Sequence, residues 1–163
     1  MSSEVGGDGR VYLVRHAKAG SRSRWDGEDH ERPLSTAGHP QARKPLRAFS
    51  DREVAQVRSS PYVRCVESVR PIAEDRGLDI VHDPVFAEGA SVEAALAALV
   101  SAPAGTVVCS HGDLIPALVQ VLAGDGVVIQ GQTGWRKGST WILEREGRRF
   151  VRARYEPPPG EER

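Results

Sequence analysis

Cysteine is scarce in this 163-residue chain. Cys65 and Cys109 are too few for a disulfide framework. They read as reduced core thiols, one inside a helical pattern and one ending a strand pattern. Net charge is missing too, because 22 Lys and Arg balance 22 Asp and Glu. Nothing at the scale of the whole chain draws it to nucleic acid or to an anionic membrane, so anion binding has to come from local clusters. No apolar run approaches the roughly 18 residues of a membrane span, and the N-terminus lacks a basic start followed by an apolar stretch. A cytoplasmic protein with neither a membrane nor a nucleic acid as partner is expected.

Several catalytic signatures are absent as well. The sequence has no Gly-x-Ser-x-Gly elbow, no Gly-x-x-x-x-Gly-Lys-[Ser/Thr] loop, and no Gly-x-Gly-x-x-Gly after the first apolar run, which argues against acyl transfer and P-loop chemistry. Four residues separate Cys65 from Arg70, one short of the loop a cysteine-dependent phosphatase needs. His16 and His111 have no metal-type spacing, and His30, His39 and His82 are scattered, so no zinc is expected.

Apolar runs and helical patterns alternate along the chain: strand 10–15, helix 39–49, strand 54–59, helix 61–76, strand 79–82, helix 91–101, strand 105–110 and helix 113–123. Repeated β-α units predict a three-layer α/β/α fold around a mostly parallel sheet. The stretch from Ser139 to Arg154, interrupted by Gly147, reads as a hairpin giving the sheet an antiparallel C-terminal edge. There is no internal repeat. Residues 10–155 form one expected domain, and residues 1–9 and 156–163 are expected to be disordered ends, being polar or rich in Pro and Gly. The segment from Gly20 to Gly38 admits two readings, a roof over a site or a solvated connector.

Three strand exits carry polar residues of one chemical kind. Val11-Tyr12-Leu13-Val14 ends in Arg15-His16. The second exit is Ser59-Ser60-Pro61-Tyr62-Val63-Arg64, where Ser60 suits a helix cap, Pro61 the first helical position and Arg64 the first turn. The third is Ser110-His111-Gly112-Asp113, opening another helix. In parallel α/β sheets ligands gather at the carboxyl ends of strands. Two helix N-termini with Arg15 and Arg64 describe a pocket for a dianion such as phosphate. Neighbouring cations would hold His16 neutral there, leaving one ring nitrogen free to attack phosphorus.

These residues resemble the histidine phosphatase superfamily, also called phosphoglycerate-mutase-like. The hallmark Arg-His stands here in Leu13-Val14-Arg15-His16-Ala17. The second-arginine motif is Ser59-Ser60-Pro61-Tyr62-Val63-Arg64-Cys65, and the second-histidine motif is Val107-Val108-Cys109-Ser110-His111-Gly112. Ala17 replaces the usual glycine, as in some short SixA-type phosphohistidine phosphatases. The resemblance implies that His16 is the nucleophile, that Arg15, Arg64 and His111 hold the phosphoryl oxygens, and that no metal is required. It also implies Glu88 as the acid for the leaving oxygen, with Asp113 a rival that is otherwise a helix cap.

A closer likeness is to the histidine-phosphatase half of bacterial two-domain Nudix hydrolases acting on oxidised or dinucleoside polyphosphate nucleotides. It is carried by Arg15 to Gly20, by Asp26-Gly27-Glu28-Asp29 leading to Arg32-Pro33-Leu34, and by Arg136 to Trp141. On that likeness Lys18, Arg22 and Lys137 are candidates to contact further phosphates of a substrate, the alternative being solvated surface charges. The expected activity is a metal-independent phosphatase without a cofactor. Its substrate would be a phosphorylated small molecule, a nucleotide or a phosphohistidine protein. A phospho-ligand-binding module without turnover is the reading from another class.

Overall fold

The computed structural model describes residues 9–160. In chain order the elements are β1 (Arg10–Arg15), α1 (Gly38–Arg43), α2 (Pro45–Ala48), β2 (Gln56–Ser59), α3 (Val63–Arg76), β3 (Ile80–His82), α4 (Val92–Ser101), β4 (Thr106–Ser110), α5 (Leu114–Gly124), β5 (Val128–Gln130), β6 (Thr140–Glu146) and β7 (Arg149–Glu156). One-turn 3-10 helices stand at Asp29–Glu31 and Pro84–Phe86. The strands form one seven-stranded sheet in the order β3-β2-β4-β1-β6-β7-β5.

The sheet pattern follows from which faces the strands bury. Successive residues of β1 point to opposite faces: Val11 and Leu13 join the core under α4 and α5, whereas Tyr12 and Val14 join the core under α3. β4 divides likewise, with Val108 on the first face and Val107 and Cys109 on the second. Strands buried on both faces read as continuous apolar runs, and this is the expected α/β/α sandwich with a mostly parallel sheet. β6 runs antiparallel to both β1 and β7. The outermost strand beyond the hairpin is β5, which pairs in parallel with β7 and was not foreseen.

Other boundaries move for local reasons. The helix expected over 39–49 is two short helices, because Pro45 has no N–H to continue the first and its ring crowds the carbonyl of Gln41. Pro45 instead opens α2 as its first residue. The strand expected over 54–59 begins at Gln56. The helix expected from residue 61 begins at Val63, with Tyr62 as N-cap and no side-chain cap. α4 has the cap its sequence offers, since Ser91 accepts the Ala94 N–H at 3.2 Å. β7 extends to Glu156, one residue past the expected domain end. Of the ends expected to be disordered, 1–9 and 156–163, residue 9 and residues 156–160 are described, with Glu156 in β7 and Pro158 buried; 1–8 and 161–163 lie outside the described residues.

Candidate active site

Register places the three polar exits together. Arg15 pairs with Ser110 between β1 and β4, and Ser59 pairs with Cys109 between β2 and β4. The residues that follow, His16, Ser60 and His111, therefore leave three adjacent strands at the same edge. The ladder runs one step further on each side, with His16 N–H donating to Ser110 O at 3.2 Å and Ser60 N–H to Cys109 O at 3.0 Å. A cavity of about 400 Å³ opens at this edge. His16, Arg15, Arg64, His111 and Glu88 all line it, as do Arg22, Lys137 and Asp113. Lys18 is exposed and does not.

His16 is 6 % exposed. Its Nδ1 lies 2.7 Å from the carbonyl of Ala17. A carbonyl only accepts, so the proton sits on Nδ1 and the lone pair on Nε2. Nε2 has no hydrogen-bond partner among the described residues. Burial pushes the imidazole pKa down to about 3, the Ala17 hydrogen bond opposes this, and the charges of His111, Arg64 and Arg15 add to it. The neutral imidazole is thus as expected, but burial contributes more to it than the neighbouring cations do. Ser68 sets the peptide beside it, accepting the Ala17 N–H at 2.8 Å and donating to Arg64 O at 2.7 Å.

Arg15 donates from Nη1 to Trp135 O at 2.6 Å, while its Nε is buried with no hydrogen-bond partner among the described residues. Gly112 makes room for it: a Cβ there would lie 2.6 Å from Arg15 Cζ. The glycine of Ser110-His111-Gly112 leaves the space in which the Arg15 guanidinium lies; a side chain there would push it aside.

Arg64, 1 % exposed, donates from Nη1 to Asp29 O at 3.0 Å. From Nη2 it donates to Asp29 Oδ2 at 3.1 Å and to Glu88 Oε1 at 2.8 Å. Its guanidinium lies 4.9 Å from the ring centre of Tyr62. His111 is anchored through Nε2, 2.8 Å from Ser60 Oγ and 3.5 Å from Cys65 Sγ. Its Nδ1 sits 3.8 Å from Glu88 Oε1. Ser60, expected to cap a helix, instead accepts the Tyr62 N–H and holds this ring. Asp113 does not cap α5 with its side chain, and its carboxylate accepts the Gly89 N–H at 2.8 Å. Cys65 and Cys109 are free and buried, as expected of core thiols.

The segment between Gly20 and Gly38 is a roof. It is pinched at its base by a bridge between Ala19 and Leu34, and it contributes Gly20, Ser21, Arg22 and Arg32 to the cavity wall. Arg32 is 5 % exposed. It donates from Nε to Asp29 Oδ1 at 3.1 Å and from Nη1 to Gly20 O at 2.7 Å. No role for Asp29 or Arg32 was foreseen, because a charged loop carries no periodicity. Their only signal was membership of the stretch shared with the two-domain hydrolases.

Residues 11–93 match the family described as histidine phosphatase superfamily (branch 1). The chain belongs to the histidine phosphatase superfamily. A curated relative, the 8-oxo-(d)GTP phosphatase of Mycolicibacterium smegmatis, is 32 % identical over 157 residues, 93 % of this chain. The chain spans about half the length of that relative, 49 %. Among solved structures the fold is shared with the protein histidine phosphatase SixA complexed with tungstate, at TM-score 0.70 and 20 % identity over 91 % of this chain and 94 % of that one. It is shared too with the alpha-ribazole phosphatase from Shigella flexneri, at TM-score 0.67 and 16 % identity over 87 % and 93 % of the two chains. Within this superfamily Arg-His at the end of β1 is the expected hallmark, and the cavity lies where that hallmark points.

Proposed function

We propose that this histidine phosphatase superfamily member is a phosphatase that works through a covalent phosphohistidine on His16. One observation carries the reading: a buried, neutral imidazole with its proton tied to Ala17 O and its Nε2 lone pair free beside Arg15, Arg64 and His111.

In the first step Nε2 donates its electron pair to phosphorus and the bond from phosphorus to the leaving oxygen breaks. Nδ1–H stays on the Ala17 carbonyl, which stabilises the positive charge the ring acquires. Arg15 offers its unpartnered Nε–H to a phosphoryl oxygen, and Arg64 and His111 supply further donors where charge develops. A phosphoryl group that takes over Arg64 releases the Glu88 carboxylate from its 2.8 Å contact with that arginine. Glu88 then takes up the proton of the phosphoryl monoanion and passes it to the leaving oxygen. In the second step water attacks phosphorus, the bond to Nε2 breaks, and neutral His16 and orthophosphate result. The 32 % identical relative, itself named a phosphatase, supports the same reaction class.

Brief incubation with a phosphate-labelled substrate should leave acid-labile label on the protein. His16→Ala should lose that label and lower turnover by more than about a thousandfold. Undiminished turnover in His16→Ala would remove the nucleophile assignment.

A further inference from the structure

The cavity around His16 holds more cationic side chains than one phosphoryl group engages. Arg15 and Arg64 are aimed at that group, yet Arg22, Arg32 and Lys137 share the wall. At about 400 Å³ the space lies in the range of small-molecule sites, several times what a lone phosphate fills. Arg32 is fixed there with little freedom, its guanidinium tied to Asp29 and to Gly20 O. Asp29 in turn holds Arg64, so the loop arginine is braced against the arginine of the phosphoryl pocket. Arg22 and Lys137 have no carboxylate at ion-pair distance among the described residues. The Lys137 ammonium is disfavoured by burial and then by the charges of Arg15, Arg32, Lys18 and Arg22, a crowd of like charges that an anion would relieve. Among the described residues Glu88 pairs with Arg64 and Asp113 offsets part of the charge of Arg15, and neither lies at ion-pair distance from Arg22 or Lys137.

We propose that Arg22, Arg32 and Lys137 form a second anion subsite, which holds the phosphate next to the one transferred to His16, so that the substrate is a small-molecule diphosphate rather than a lone monoester. This rests on the phosphohistidine reading above. Two phosphates joined through one bridging oxygen are neighbours, as the two groups of cations are within one cavity. Arg32 offers a phosphoryl oxygen the Nη N–H groups that Asp29 and Gly20 O leave over, and Lys137 adds a mobile point charge. In the reaction the bond from the terminal phosphorus to the bridging oxygen breaks. The inner phosphate leaves as a monophosphate on its bridging oxygen, protonated by Glu88, and the terminal phosphoryl passes to Nε2 of His16 and then to water.

Binding is measured first, by calorimetry with inorganic pyrophosphate and orthophosphate on the wild-type protein, Arg32→Gln and Lys137→Gln. Pyrophosphate should bind the wild type at least about tenfold more tightly than orthophosphate, and each substitution should cut that ratio several-fold, as loss of a charge-assisted hydrogen bond does. Lys137 is exposed, so its variant keeps the test open if Arg32→Gln fails to fold. Turnover is then compared with ADP, p-nitrophenyl phosphate and 3-phosphoglycerate, the last presenting a carboxylate as the second anion. The wild type should favour ADP in kcat/KM, and Lys137→Gln should lose about tenfold more on ADP than on p-nitrophenyl phosphate. Equal affinity for pyrophosphate and orthophosphate, equal losses on ADP and p-nitrophenyl phosphate, or a preference for 3-phosphoglycerate overturns the subsite. If p-nitrophenyl phosphate is hydrolysed with labelling of His16 while ADP is not, the subsite fails and the phosphohistidine reading stands. Should no substrate turn over, the phosphohistidine reading fails, and the pyrophosphate ratio alone decides whether the subsite exists.

Discussion

His16 owes its state to where β1 delivers it. A histidine in water is half protonated near pH 6.5, but here burial holds the pKa at about 3. Between these two values the unfolded chain binds a proton that the folded protein refuses. The contribution of His16 to stability is therefore intact above about pH 6.5 and is lost as pH falls toward 3, by roughly 1.4 kcal/mol per pH unit. Removing the titrating group isolates this effect from every other acid-sensitive residue. Denaturant unfolding at about pH 7 and about pH 4.5 should show the wild type losing about 2–3 kcal/mol more than His16→Gln. Equal losses would mean that the folded-state imidazole titrates normally. The residues doing this were legible in the sequence, since Arg15, His16, Arg64 and His111 each follow a readable strand or open a helix. The tautomer was not, because it depends on the direction of one carbonyl, and neither was Ser60, whose hydroxyl fits a helix cap and a histidine partner equally well in sequence.

At the scale of elements, β1 and β4 were readable because burial on both faces leaves no polar residue inside them. β5 was not readable: Val128, Ile129 and Gln130 are three residues, and they are a strand only because β7 lies alongside. Short elements of this kind depend on tertiary ties. One such tie closes the other end of β7, where Arg52, in the loop before β2, donates from Nη1 and Nη2 to the two carboxylate oxygens of Glu156 at 3.1 and 2.6 Å. The same guanidinium lies 4.8 Å from the ring centre of Phe49 and 5.3 Å from that of Tyr12. The pair is mostly shielded, with side-chain exposures of 12 % and 23 %, so removing one partner strands a poorly solvated charge. Arg52→Ala should cost about 2–3 kcal/mol in chemical denaturation. A double-mutant cycle with Glu156→Gln should return a coupling of at least about 1 kcal/mol. Additive losses would show that the arginine acts by ring packing alone.

Across the whole molecule, charge is balanced but not evenly placed. The formal net charge is zero, so no long-range field steers an anion, and attraction begins only within about a Debye length of the cavity, roughly 8 Å in physiological salt and 30 Å in 0.01 M salt. The cations of the site fall into two kinds. Arg64 is buried and Arg15 half-buried, so mobile ions screen them less. Arg22 and Lys137 stand at an exposed part of the wall, where mobile ions screen them more. Salt should therefore act on binding through the second kind and leave folding almost untouched, because the sheet's two cores are apolar. Raising NaCl from about 0.01 to 0.15 M should weaken orthophosphate binding several-fold while the unfolding midpoint moves by no more than a few degrees. In Arg22→Gln combined with Lys137→Gln the same titration should be nearly flat. A salt dependence as steep in that double variant as in the wild type would place the attraction on Arg15 and Arg64, and the two wall cations would then be bystanders to phosphate capture.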